Sequence, residues 1–315
     1  MKIFKSSREA MPFLKKGCVL TMGNYDGFHL GHQTILSLLK SQSFKRKLPS
    51  LVYTFDPHPV KILAPEIAPP LINTLDQKIE LLQKMKIDIL VLEKFTPRFA
   101  KTSPEVFFKT HLMHHLHPHF ITVGYDFTFG SKRMGNIETL ERLCFENQID
   151  VKIVDPKMVG QKLASSSLIR KLLEQGKVDK ARELLNRPYF MDGEIIRGEQ
   201  RGTMLGFPTA NLKTKNEISP AVGVYATLFC LNHKNYLSAT NVGHRPTFGK
   251  GELAIETHVF GLKKNIYGKK VRVFFIKKIR DEKKFDSEQF LIRQIRSDIN
   301  KAKQILSHYR EKHAG

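Results

Sequence analysis

Two histidines three residues apart, His29 and His32, close the segment Gly23-Asn24-Tyr25-Asp26-Gly27-Phe28-His29-Leu30-Gly31-His32. The apolar run 18–22 before it has the length of a strand, and residues 33–39 after it carry helical spacing. Strand, tight turn and helix start therefore follow one another. In such a turn the glycines let the backbone approach a ligand, while free N–H groups and the positive end of the helix dipole face an anion. Gly23, Asp26 and Gly31 belong to that cradle, and His29 and His32 share one face of the first helical turn, where both reach the same phosphoryl group. Phosphoryl and nucleotidyl transfer need positioning and charge neutralisation more than covalent help, which suits paired imidazoles. Two ordinary capping histidines are the other reading of an isolated H-x-G-H.

Three further sets of residues could do chemistry. Ser165-Ser166-Ser167-Leu168-Ile169-Arg170 opens a helix with hydroxyls and one guanidinium, so Ser166, Ser167 and Arg170 form either a phosphate cradle or a capped helix start. A glycine-rich loop over 198–205, which includes Gly202, precedes Gly206-Phe207-Pro208-Thr209-Ala210-Asn211. Thr209 and Asn211, two apart in an extended segment, share a face and offer oxygen ligands suited to Mg²⁺, with the loop covering a nucleotide. A hairpin with a proline turn accounts for the same residues. His111, His114, His115, His117 and His119 cluster locally, but their irregular spacing favours a solvated helix end over a metal site.

The H-x-G-H element resembles the signature of the nucleotidyltransferase superfamily, and S-S-S-x-x-R resembles its S-S-T-x-x-R element, with Ser167 where threonine is usual. Together with P-T-A-N, in this order, they resemble the bifunctional prokaryotic riboflavin kinase/FMN adenylyltransferases, or FAD synthetases, over nearly the whole chain. Residues 123–130, 241–248 and 255–258 match as well. Riboflavin and FMN as substrates come from this resemblance alone, since composition and spacing reach only nucleotide binding and phosphate chemistry. The resemblance implies that His29 and His32 stabilise charge on the α-phosphate of ATP while FMN is adenylylated to FAD. Ser166, Ser167 and Arg170 would hold the departing pyrophosphate. In the C-terminal half it implies transfer of the ATP γ-phosphate to the ribityl hydroxyl of riboflavin, giving FMN, with Glu256 as general base and Mg²⁺ on Thr209 and Asn211. Gly202, Thr209 and Asn211 would bind the ATP of that step. Asp126 and Arg280 would bind flavin. ATP is then the co-substrate of both steps, and FMN and FAD are the products. Two alternatives stay open: a single-activity H-x-G-H nucleotidyltransferase whose barrel only binds, and a basic RNA-binding protein.

These groups must be held by elements the pattern also predicts. Strands over 18–22, 51–55, 87–92, 120–124 and 151–154 alternate with helical segments, which predicts an α/β doubly wound parallel sheet with its ligand crevice at the carboxyl ends of the strands. The loops at 56–59 and 124–127 should converge there with the histidines. After Asn186-Arg187-Pro188 the pattern changes to short strands over 189–197, 223–231, 236–242, 254–260 and 270–276, predicting a small antiparallel β-barrel. A C-terminal helix follows over 287–307, with Phe290, Leu291, Ile295, Ile299, Ala302 and Ile305 as its apolar stripe. The domains are therefore read as 1–186 for nucleotidyl transfer and 187–315 for the kinase.

Composition sets outer bounds. A chain of 315 residues, 41% hydrophobic and 26% charged, can bury two cores. No stretch reaches the roughly 18 apolar residues of a membrane span, and no secretory signal is visible at the N-terminus. Three scattered cysteines suit reduced thiols, so a cytoplasmic location is expected, with no membrane partner. The net charge of +22 draws anions and weak nonspecific nucleic acid. The absence of a reader module argues against a specific nucleic-acid partner. Weak self-association is left open.

Overall fold

The apolar run at 18–22 forms the middle of a six-stranded parallel sheet in the structure, a computed structural model that describes residues 1–198, 201–244, 253–262 and 264–312. The strands are β1 (Lys2–Phe4), β2 (Cys18–Met22), β3 (Ser50–Asp56), β4 (Ile89–Lys94), β5 (Pro118–Gly124) and β6 (Asp150–Val154). Their order is β1-β4-β3-β2-β5-β6. Neighbouring residues feed opposite faces: Leu20, Leu51, Ile89 and Ile121 join one core, whereas Val19, Val52, Leu90 and Phe120 join the other. A sheet buried on both faces explains why these strands read as continuous apolar runs.

The predicted sheet is borne out, with one addition. The three-residue strand β1, which pairs in parallel with β4, lies below the length that alternation can reveal. From β2 the chain steps out through β3 and β4 and then returns to β5 on the other side of β2. The order thus reverses between β2 and β5, and the crevice of such a sheet lies at the carboxyl ends of those two strands. A two-stranded ribbon of β7 (Met158–Val159) and β8 (Lys162–Leu163) follows the sheet.

The C-terminal half contains β9 (Tyr189–Ile196), β10 (Ala210–Thr214), β11 (Gly223–Leu231), β12 (Lys234–His244), β13 (Leu253–Val259) and β14 (Lys270–Arg280). They close into an antiparallel barrel in the order β10-β13-β12-β11-β14-β9. Sequence pattern finds five of these strands; β10 has only two apolar residues in its alternation, Ala210 and Leu212, and is read there only as the extended segment that holds Thr209 and Asn211. Inside the barrel Thr227, Ser238, Thr240 and Thr257 satisfy one another at 2.8–2.9 Å. Outside it, Ala302 and Leu306 of the helix Glu288–Lys312 pack on Ala226, Leu228 and Ile276. The expected stripe needs correction at Phe290, which is 57% exposed, while Leu306 takes a core position that the stripe omitted.

By packing, the chain divides into Met1–Ser165 and Ser166–Gly315. The helices Ser166–Glu174 and Val178–Leu185 are built onto the barrel, where the Ala221 N–H donates to the Leu173 carbonyl at 2.9 Å and Gly176 lies against Tyr225. The reading of 1–186 and 187–315 divides the chain by chemistry and places these helices differently from the packing.

Candidate active sites

The first site grows from the end of β2. Thr21 Oγ1 donates to the Thr122 carbonyl of β5 at 2.6 Å, and the Tyr25 hydroxyl donates to Thr21 Oγ1 at 2.6 Å. Tyr25 is therefore folded back into the core with a positive φ of 50°, which turns the chain sharply. The Asp26 carboxylate accepts the Ile72 N–H at 3.0 Å and the Asn73 N–H at 3.3 Å, so it ties the turn to the segment before the next helix. Its visible task is to shape the cradle. Gly23 donates its N–H to the Tyr53 carbonyl at 3.2 Å.

His29 is the N-cap residue of the helix Leu30–Arg46, and His32 sits in its first turn. The rings stack with centroids 3.8 Å apart and planes 24° apart. Gly31 lies beside the His29 ring, with the Ala164 carbonyl nearby. Burial, then His29, then Lys78 hold the His32 imidazole well below the usual histidine range, so it is neutral at pH 7. Its Nδ1 is buried and has no hydrogen-bond partner among the described residues. A neutral imidazole with an uncommitted ring nitrogen can donate to a phosphate oxygen.

The loop after β5 holds Asp126, which is exposed and folded back over Gly124 beside Ile35 of the histidine helix. Ser166, Ser167 and Arg170 occupy the first turns of the helix Ser166–Glu174, with Ser167 exposed. The histidine cluster differs from the expected solvated end. His111 and His115 each place Nδ1 on Ser7 Oγ, at 3.0 and 2.9 Å, and His111 stacks on Phe107. Only His114, His117 and His119 of the five are exposed. Among the described residues no group of three or more His, Cys, Asp or Glu side chains is arranged to hold a metal ion.

The second site is a cavity of 440 Å³ on the outside of the barrel. Strand register builds one row across it: Asn211 of β10 faces Glu256 of β13, Glu256 faces Asn241 of β12, Asn241 faces Val224 of β11, and Val224 faces Arg280 of β14. Thr240 and Thr257 point into the barrel, so their neighbours Asn241 and Glu256 point out. Thr209 and Gly202 line the same cavity. A Cβ on Gly202 would meet the Phe207 carbonyl at 2.6 Å, so this close backbone approach requires glycine, and one on Gly198 would meet the Asn211 side-chain amide at 2.2 Å. His258 Nδ1 donates to the Pro208 carbonyl at 2.8 Å and fixes the strand entry beside Thr209.

Arg280 enters the cavity as half of a buried pair. Its Nε and Nη2 reach Asp298 of the C-terminal helix at 2.9 and 2.8 Å, and Gln294 donates to the other Asp298 oxygen at 2.8 Å. The cavity thus unites Gly202, Thr209, Glu256 and Arg280, with Asn211 in the same row. Asn241 and Asp298 were not singled out from sequence. Asn241 lay inside a matching motif whose second part, 245–248, is outside the described residues.

Family models described as FAD synthetase and riboflavin kinase match residues 12–168 and 185–306. A bifunctional riboflavin kinase/FMN adenylyltransferase of Haemophilus influenzae is 37% identical over 91% of this chain and 94% of its own. The protein of that name from Escherichia coli K12 is 33% identical over 95% and 96%. The chain belongs to the bifunctional riboflavin kinase/FMN adenylyltransferase family. A solved structure named as a macrolide-efflux protein from Streptococcus pneumoniae is also similar, with a TM-score of 0.85 and 29% identity over 96% of this chain and 98% of that one. Among the described residues of this riboflavin kinase/FMN adenylyltransferase family member, no helix is long and apolar enough to cross a membrane. Its parallel sheet and closed barrel coincide with the two family matches.

Proposed function

We propose that the chain makes FAD in two steps, phosphorylating riboflavin to FMN in the barrel cavity and adenylylating FMN at the stacked histidines. The observation that supports the first step most is Glu256 in the cavity wall between Asn211 and Asn241. Glu256 accepts the proton of the ribityl hydroxyl as that oxygen attacks the γ-phosphorus of ATP, and ADP leaves. Thr209 and Asn211, with Glu256 opposite, present an oxygen set of the kind Mg²⁺ takes when it keeps waters and phosphate oxygens. When bound there, Mg²⁺ neutralises phosphate charge. Arg280, held by Asp298, orients the flavin.

In the second step the FMN phosphate attacks the α-phosphorus of ATP and the bond to pyrophosphate breaks. His29 and His32 donate to the oxygens on which charge builds. Ser166, Ser167 and Arg170 receive the pyrophosphate. Neither the binding-only barrel nor the RNA-binding alternative gains support from any observation. A cytoplasmic location fits the free, largely buried cysteines Cys18 and Cys144.

Incubation with riboflavin, ATP and Mg²⁺, followed by chromatography, tests this reading. FMN followed by FAD is expected, and absence of both products overturns it.

A further inference from the structure

Lys78 is a lysine in the wrong place for a structural residue. It is 7% exposed. Its charged surroundings are the carboxylates of Asp26 and Asp56 and the imidazole of His32. Asp26 lies in the turn after β2, His32 in the first turn of the helix that follows it, and Asp56 is the last residue of β3, so all three stand at the carboxyl ends of β2 and β3. An ammonium on so buried a side chain loses much of its hydration, and attraction to two carboxylates does not fully replace it.

The placement is rigid and follows from two helices. Lys78 lies on the helix Leu75–Lys84, whose start is fixed by a capping box between Thr74 and Gln77 and by Asn73 donating to Gln77 at 3.2 Å. Leu81 and Leu82, one turn beyond Lys78, share a core with Leu36 and Leu39, one and two turns beyond His32. The apolar residues of both helices thus form a seam, and at its end nearer the loops stand one ammonium and one imidazole. A side chain needed only for packing would be apolar at this position, as Leu81 and Leu82 are.

We propose that Lys78 contacts a phosphate oxygen of the substrates bound beside His32, and so is a further residue of the adenylyl-transfer site. This rests on the adenylyl-transfer reading of that site. The oxygen belongs either to ATP or to the FMN phosphate; both present the same chemistry to an ammonium. A phosphate oxygen offers that ammonium a charged hydrogen-bond acceptor, and desolvated pairing of this kind is stronger than at the surface.

The experiment compares wild type, Lys78→Met and Lys78→Arg. Each is assayed for FMN to FAD with ATP and FMN varied separately, with phosphorylation of riboflavin by the same molecules as internal reference. Lys78→Met is expected to lower kcat/KM for FAD formation about 10²-fold while the thermal midpoint holds or rises, since an apolar isostere replaces a buried charge. Lys78→Arg should recover part of the loss. A raised KM for ATP alone places the contact on the triphosphate, and a raised KM for FMN alone places it on the flavin phosphate. Kinetics of Lys78→Met within twofold of wild type overturn the proposal. Calorimetric titration with inorganic pyrophosphate and with FMN keeps the two readings apart. If wild type makes no FAD, the adenylyl-transfer reading fails, yet weaker binding of either probe by Lys78→Met still supports the contact, and equal binding of both overturns it.

Discussion

Glu256 and Asn211 face each other across the pairing of β13 with β10, so the proposed base and a proposed Mg²⁺ ligand are fixed by backbone register rather than by side-chain reach. Register places them on one face whatever the loops do, which is how a small barrel can hold a reacting pair without a deep cleft.

Glu256→Gln keeps the shape and removes the proton acceptor. Riboflavin phosphorylation should fall by about 10²–10⁴-fold, while conversion of supplied FMN to FAD stays near wild type. Both rates come from one chromatographic assay run with riboflavin or with FMN.

His32→Gln should act in the opposite sense. Loss of one preorganised donor at the developing charge costs about 10²–10³-fold in FAD formation, with the kinase rate unchanged. An equal loss of both activities would refute separate sites.

Gly202→Ala introduces a methyl group 2.6 Å from the Phe207 carbonyl, beside Thr209. The loop must shift, and misplacement of that order lowers kinase kcat/KM by about 10²-fold. Steady-state rates at varied ATP would measure it.

Histidine burial makes stability depend on pH. His32, His111 and His115 all have folded-state pKa values below the unfolded one, chiefly through burial. Below about pH 6.5 the unfolded chain therefore binds protons that the folded chain resists, and stability falls as pH drops. Above that pH both states are neutral and the effect vanishes. Denaturant titrations at pH 7.5 and 5.5 should show the drop, and His32→Asn should reduce it.

Asp298→Ala strands the Arg280 guanidinium in the cavity wall. Breaking such a pair costs about 3 kcal/mol, and riboflavin should bind more weakly. Thermal melts and flavin fluorescence titration report the two effects.

The parts of the site that sequence reveals are those written in consecutive residues. Gly23 to His32 announces strand, turn and helix in one stretch, and residues 207–211 place Thr209 and Asn211 on one extended face before any partner strand is known. The remainder depends on partners far along the chain. Asp298 becomes a site residue only when the C-terminal helix meets β14, and Asn241 only when β12 pairs with β13. His111 reads as solvent-facing until Ser7 is brought to it. Lys78 did leave a local trace: a charged residue three and four positions before Leu81 and Leu82, on the apolar face of its helix.

The hydrogen bonds from Tyr25 to Thr21 and from Thr21 to Thr122 decide when the loop around the histidines loses its freedom. The ordering entropy of that turn is surrendered once, during folding, and is not charged again at each encounter with a nucleotide. A crevice prepared in this way meets its substrate much as a rigid mould does, so capture should be limited by diffusion and dehydration rather than by loop closure.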